Sequence, residues 1–147
     1  MAVEPVPETF ALLKRNLALN DVANVRALNK ACWDSRRDLE LWVPRGYYGI
    51  ASAFMVGTGT SISVKACPLD DLTKDFPSIR LLKIDAEGAE LPILRGAGET
   101  LRKTQSAVLE VGRDEKPILD VLRDCGFQIR SMEERTYFLA DRPEFAP

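Results

Sequence analysis

Two carboxylates separated by one residue stand directly after an apolar segment in the middle of the chain. Residues 79–84 are typical of a strand, and Asp85 and Glu87 follow it. Ligands of open α/β sheets bind beyond the carboxyl ends of the strands, so both side chains are expected at a crevice. Two carboxylates in a dry crevice raise one pKa, which suits a proton acceptor or an anchor for a cation. Alternatively, both residues only cap the following helix.

Lys83 precedes Asp85 by two residues. Side chains at this spacing lie on the same face of an extended strand, so an ion pair between Lys83 and Asp85 is expected. Such a pair serves equally well as a structural contact or as part of a catalytic group. Lys83, Asp85 and Glu87 are therefore the candidate catalytic residues.

Two further glutamates occupy informative positions. Glu4 ends a short strand just before a predicted helix, where a carboxylate can accept hydrogen bonds from ribose hydroxyls, although a surface glutamate would look the same. Glu110 interrupts an apolar strand over residues 107–111, and burying it without a partner is costly. We expect Glu110 to lie near the same crevice or to pair with Arg113.

A second strand end offers small residues instead of charges. Ala31 and Cys32 would give an adenine ring a flat apolar wall, or they simply end a strand. The predicted loop over residues 45–60 carries Tyr47, Tyr48 and Phe54 among glycines, and it is either a substrate lid or a connection.

Alternating strand and helix patterns must position these residues. Helices are predicted at 8–19, 69–75, 89–101 (with a break at Gly96 or Gly98) and 115–125. Strands are predicted at 2–4, 25–31, 39–43, 61–66, 79–84, 107–111, 127–130 and 136–140. The last two strands are joined by the charged turn 133–135, which is too short for a crossover, so they must be antiparallel. The fold class is α/β, doubly wound, with a mostly parallel sheet and an antiparallel C-terminal strand pair.

The composition narrows the function. The 147 residues suffice for one domain, and the net charge of -2 gives no reason to expect nucleic acid or a membrane as a partner. The N-terminus does not resemble a signal peptide, so a cytoplasmic location is expected. The three cysteines form no CxxC pair, which argues against a disulfide framework or a zinc site. Histidine is absent, so a general base must be another side chain, such as a carboxylate.

These residues together resemble the FkbM family of methyltransferases. The family pattern contains an acidic residue, a proline and a helix rich in Leu and Asn, and this chain has Val3 to Phe10 followed by Leu13, Asn16, Leu17 and Asn20. The matching segments that follow are Ala31-Cys32-Trp33-Asp34, Leu69-Asp70-Asp71-Leu72, Lys83 to Glu90, Leu94-Arg95-Gly96-Ala97 and Val108-Leu109-Glu110-Val111.

The resemblance implies S-adenosylmethionine (SAM) as cofactor and a hydroxyl of a sugar, lipid or natural product as the small-molecule acceptor. It places Glu4 at the ribose and Ala31 and Cys32 beside the adenine. It places Asp85 and Glu87 at the methyl-transfer site, where one of them would remove the hydroxyl proton.

One family element has no counterpart in this sequence. Family members carry a strand and a turn of the form Asp-x-Gly-x-x-x-Gly before the Glu-Pro motif, and this chain starts at Met1. Residues 1–147 are therefore expected to be a partial methyltransferase domain with a gap or rearrangement in its sheet. An exposed strand edge at the gap predicts self-association into a homo-oligomer. The alternatives are a non-catalytic remnant that binds a ligand or partner, and a hydrolase holding Mg²⁺ with Asp85, Glu87 and Glu110.

Overall fold

The computed structural model of the chain describes residues 1–45, 51–54, 59–131 and 137–142. The predicted turn 133–135 and most of the predicted loop, including Tyr47 and Tyr48, lie outside these residues. The strands are β1 (Ala2–Val3), β2 (Ala27–Leu28), β3 (Ala31–Cys32), β4 (Arg37–Pro44), β5 (Gly59–Cys67), β6 (Ile79–Ile84), β7 (Thr104–Glu110), β8 (Gln128–Ser131) and β9 (Tyr137–Asp141). The helices are α1 (Pro7–Leu19), α2 (Leu69–Thr73), α3 (Glu90–Arg95), α4 (Gly98–Arg102) and α5 (Glu115–Asp124).

Four strands form the largest sheet, in the order β6-β7-β9-β8. β6 and β7 are parallel, whereas β9 is antiparallel to both of its neighbours, β7 and β8. The predicted antiparallel C-terminal pair is confirmed. The last strand does not extend the sheet at its edge, however, because β9 lies between β7 and β8.

The remaining strands form two smaller ladders. β1 pairs with β2 in parallel, and β5 pairs in parallel with β3 and antiparallel with β4. The prediction of one strand over residues 25–31 is wrong, because two short strands, β2 and β3, replace it in different sheets. Between them, the Asn29 side chain donates hydrogen bonds to the backbone oxygens of Glu4 (2.9 Å) and Pro5 (3.0 Å). These hydrogen bonds hold the chain where it passes from β2 in one sheet to β3 in another.

The predicted break in the helix over residues 89–101 is confirmed, since α3 ends at Arg95 and α4 begins at Gly98. A Cβ added at Gly96 would lie 2.2 Å from the backbone oxygen of Trp33, so this bend packs directly on the end of β3. Asp70 receives hydrogen bonds from the backbone N–H groups of Glu99 (3.1 Å) and Thr100 (2.7 Å). Asp70 thereby caps α4 from a distant part of the sequence.

The buried apolar side chains form two cores. The larger core joins the β6-β7-β9-β8 sheet to helices α2 to α5, and the smaller core lies around Trp33, Leu41 and Val64. Ala89 contacts both cores. No helix in the described part of the chain is long and apolar enough to span a bilayer.

Candidate active site

A cavity of about 400 Å³ separates β1 from β6, two strands that are not hydrogen-bonded to each other. Its volume falls within the usual range of small-molecule sites, about 300–1,000 Å³. The cavity is lined by the six residues that the sequence analysis assigns to catalysis or to the cofactor: Glu4, Ala31, Cys32, Lys83, Asp85 and Glu87. Residues from three distant segments therefore meet at one place.

The expected contact between Lys83 and Asp85 is present. The Lys83 ammonium donates to Asp85 Oδ2 at 2.6 Å. The Lys83 side chain is 60% exposed and that of Asp85 is 36% exposed, so the ion pair contributes only about 0–1 kcal/mol to stability. Its main effect is to hold the Asp85 carboxylate in one orientation at the cavity.

Glu87 lies in the turn after β6 and takes part in no ion pair among the described residues. Although the Glu87 residue is exposed overall, partial desolvation raises the pKa of its carboxyl, and the negative charges of Asp85, Glu110 and Glu90 raise it further. The Ser52 hydroxyl donates to the backbone oxygen of Glu87 at 2.9 Å. The environment of Glu87 thus favours proton uptake by its carboxylate more than that of an ordinary surface glutamate.

The alternative in which Asp85 and Glu87 cap the next helix is not supported. Helix α3 begins at Glu90, and no side chain hydrogen-bonds as its N-cap. The turn N–H groups of Ala86 and Gly88 are instead bonded by Glu90. The carboxylates of Asp85 and Glu87 therefore face the cavity without that structural role.

Glu4 stands where β1 leads into α1. Its Oε1 accepts a hydrogen bond from the backbone N–H of Val6 at 2.7 Å, which fixes the side chain at the start of the helix. Partial burial raises the pKa of Glu4, and the Val6 hydrogen bond partly offsets that shift. The backbone turn therefore orients a carboxylate toward the cavity.

Ala31 and Cys32 form an uncharged wall opposite the carboxylates. Burial, aided by neighbouring Cys67, raises the pKa of the Cys32 thiol to about 12, so the thiol is neutral at physiological pH. Cys32, Cys67 and Cys125 are all free. Their environments suit packing and not nucleophilic chemistry.

Of the two alternatives for Glu110, the position near the crevice is supported, because its negative charge acts on the Glu87 carboxyl. The alternative pair with Arg113 does not form among the described residues. Glu110 Oε2 accepts a hydrogen bond from the Tyr137 hydroxyl at 2.8 Å. Arg113 instead lies 3.3 Å from Asp114 and stacks over the Phe54 ring at 4.3 Å. Glu110 meets a side chain of the adjacent strand β9, a pairing that only the sheet topology reveals.

The described residues provide no set of ligands for a magnesium ion. The described residues contain no group of three or more His, Cys, Asp or Glu side chains placed to hold a metal ion. The hydrolase hypothesis based on Asp85, Glu87 and Glu110 therefore has no geometric support in this part of the chain.

Two residues of the predicted loop over 45–60 make contacts beside the cavity that the sequence does not indicate. Ser52 reaches the turn from 35 positions away, and Phe54 stacks on Trp33 with ring centroids 5.8 Å apart. Nothing in the spacing of Ser52 or Phe54 indicates these contacts. Glu90, by contrast, was visible within the Lys83–Glu90 motif, but only the structure shows that it is buried.

The fold is similar to that of a solved α/β methyltransferase. The crystal structure of methyltransferase FkbM from Methylobacillus flagellatus KT superposes with a TM-score of 0.62 over 94% of this chain and 35% of that one, and the 18% sequence identity restricts this likeness to the fold. The family model of the methyltransferase FkbM domain matches residues 1–129, so the chain belongs to the FkbM methyltransferase family.

Two fungal methyltransferases are also similar to the whole chain. Methyltransferase sdnD of Sordaria araneosa is 28% identical over 186 aligned positions, and methyltransferase 1 of Beauveria bassiana is 26% identical over 175. The chain spans 68% of the first protein and 66% of the second. Their similarity supports the same family.

Proposed function

We propose that the cavity between β1 and β6 binds SAM and that the protein methylates a hydroxyl group of a small molecule, such as a sugar, lipid or natural product. One observation carries the proposal: the residues that the family resemblance assigns to the cofactor and to the reaction all line a single cavity. The family membership supports methyl transfer as the chemistry.

The residues present fit the cofactor. Glu4, fixed by Val6, offers a carboxylate to ribose hydroxyls, and Ala31 and Cys32 offer an uncharged wall to the adenine. The carboxylates of Asp85 and Glu87 favour a positively charged group nearby. SAM, when bound, would supply a methyl group on a sulfonium, from which an acceptor oxygen can displace it.

The hydroxyl proton needs an acceptor, and Glu87 is better suited to this role than Asp85. Asp85 is engaged by Lys83 at 2.6 Å, whereas the pKa of Glu87 is raised. A carboxylate with a raised pKa takes up a proton more readily, and a positioned base contributes about 10²–10⁴-fold to a rate. We assign Glu87 as the general base, with Asp85 and Lys83 as a fixed charge pair beside it.

The net charge and the proposed cofactor bear on the partner and on the location of the protein. The partner is a small acceptor molecule and neither nucleic acid nor membrane, because the net charge of -2 gives no attraction to polyanions. A cytoplasmic location would give the enzyme access to SAM.

Calorimetric titration of SAM into the 147-residue chain tests the proposal. We expect micromolar binding that Glu4→Ala weakens about tenfold or more, since a hydrogen bond to a charged group contributes about 1.5–3 kcal/mol. Glu8→Ala is the matched control, because Glu8 is exposed on α1 and does not line the cavity. Absence of binding by the unaltered chain would contradict the proposal and favour a non-catalytic remnant.

A further inference from the structure

The turn that presents Glu87 has an unusual backbone. The Ala89 N–H donates to the Ala86 oxygen at 3.0 Å and closes a four-residue turn. Its two central residues have positive φ, 49° for Glu87 and 91° for Gly88, as in a type I′ turn. Glycine tolerates this conformation, whereas a residue with a Cβ loses about 1–2 kcal/mol there. The turn must therefore be held by contacts around it.

Glu90 supplies two of these contacts. Its Oε1 accepts hydrogen bonds from the N–H of Ala86 at 3.0 Å and from the N–H of Gly88 at 3.2 Å. These two donors lie on either side of Glu87. With the bond from Ser52 to the Glu87 oxygen, the backbone is fixed on both sides of Glu87, while the Glu87 side chain remains at the cavity.

The burial of Glu90 indicates that packing alone does not explain it. Glu90 is only 1% exposed, and its Oε2 is buried with no hydrogen-bond partner in the described part of the chain. Burying a carboxylate with one oxygen unpaired is unfavourable, and an apolar residue of similar size would suit the core better. The two hydrogen bonds that Glu90 accepts from the turn offset part of that unfavourable burial.

We infer that Glu90 is a positioning residue of the active site: its buried carboxylate fixes the strained turn that directs Glu87 into the cavity. The role in catalysis rests on the proposed methyl transfer, whereas the role in the turn does not. The two can therefore be tested separately.

Three substitutions separate hydrogen bonding from charge and packing. Glu90→Gln keeps an oxygen that can accept both N–H groups, whereas Glu90→Ala and Glu90→Leu keep none, and all three remove the charge. Leucine also fills the buried space, so Glu90→Leu should fold even if Glu90→Ala does not. If Glu90 only fills space in the core, Glu90→Leu should keep both the turn and the activity.

Amide hydrogen exchange measured by NMR on the whole chain gives the first readout. We expect Ala86 and Gly88 to exchange about tenfold faster or more in Glu90→Leu, and close to the unaltered rate in Glu90→Gln. The amides of Leu109 and Ala140, in the β7–β9 ladder, report global opening. A change at Ala86 and Gly88 that exceeds any change at Leu109 and Ala140 is therefore local to the turn. Unchanged protection of Ala86 and Gly88 in Glu90→Leu would overturn the inference.

Methyl transfer from labelled SAM to pooled hydroxyl acceptors gives the second readout. We expect Glu90→Leu to lower kcat about tenfold or more with little change in KM for SAM, and Glu90→Gln to restore most of kcat. A normal kcat in Glu90→Leu, despite a loosened turn, would overturn the catalytic role. If the unaltered chain shows no SAM binding, the proposed function fails, and the exchange result still decides the role of Glu90 in the turn.

Discussion

Asp85 and Glu87 are two residues apart, yet their carboxylates have different electrostatic surroundings. Asp85 is neutralised by Lys83, while Glu87 stands among negative charges without a cation of its own in the described residues. The sequence predicted the Lys83–Asp85 pair, because a two-residue spacing on a strand fixes the side on which both residues lie. It also offered Glu110 as a neighbour of the crevice, but it did not indicate Ser52, which approaches Glu87 from a distant segment.

The raised pKa of Glu87 predicts a pH-dependent effect of Glu87→Gln on stability. The folded chain holds the Glu87 proton more tightly than the unfolded chain, so ionisation destabilises the fold as the pH rises through the folded pKa. We expect both proteins to melt at similar temperatures near about pH 4, where Glu is largely protonated. The variant should melt at the higher temperature at neutral pH.

Thermal melts across this pH range measure the effect. Glu115→Gln is a suitable control, because Glu115 is exposed in the first turn of α5, where negative charge is favourable. This control should melt slightly lower at neutral pH, the opposite sign. A difference between Glu87→Gln and the unaltered protein that does not change with pH would contradict the raised pKa.

At the scale of elements, the bend between α3 and α4 lies next to Trp33, a residue of the smaller core. Gly96 lies against the backbone of Trp33, and Trp33 lines the cavity. The sequence predicted the break from two nearby glycines but could not show which of them is in contact. The strands β2 and β3 were predicted as one strand over residues 25–31, because two-residue strands carry too few side chains for a periodic pattern that would separate them.

Gly96→Ala tests the bend. The new Cβ would lie 2.2 Å from the Trp33 oxygen and 3.1 Å from the Asp34 Cα, and both are backbone atoms that cannot rotate away. We expect a loss of about 1–3 kcal/mol in the free energy of unfolding, as for overpacked core sites. Denaturant unfolding measures this loss.

Gly98→Ala is the matched control for Gly96→Ala. No atom lies within 4 Å of a Cβ at Gly98, and the residue is the first of α4. Alanine there should be neutral or stabilising by about 0.4–1 kcal/mol, because it reduces the freedom of the unfolded chain. Equal effects of the two substitutions would show that the bend does not depend on close approach.

At the scale of the whole molecule, the α/β class and the antiparallel final pair were predictable, because both follow from element type and connection length. The strand pairings were not. The distribution of strands over three ladders and the insertion of β9 depend on contacts between distant residues. The cavity was predictable only as the meeting of several strand ends, and its walls from β4 and residues 51–53 were not.

The unpaired side of β6 predicts self-association. In the described part of the chain β6 has a strand partner on one side only, and Leu81 on this strand is 60% exposed. Exposed strand edges readily pair with other chains. We expect light scattering at micromolar concentration to give a mass above that of one chain, and Leu81→Lys to lower it.

Leu12→Lys provides the control for Leu81→Lys. Leu12 is 52% exposed on α1, away from the edge, so the same change in charge and hydrophobicity occurs at a different place. An effect of Leu81→Lys alone would locate the contact at β6. A monodisperse monomer of the unaltered chain would contradict the prediction.

The position of β9 has a consequence for the way this protein is made. β9 is made after β7 and β8, yet among the described residues it alone connects those two strands. While the ribosome still covers β9, β8 has no partner in that sheet and the apolar face around Phe138 and Ala140 is unfilled. The sheet cannot be completed before β9 has left the ribosome, so the nascent chain exposes apolar surface to chaperones and proteases until that moment.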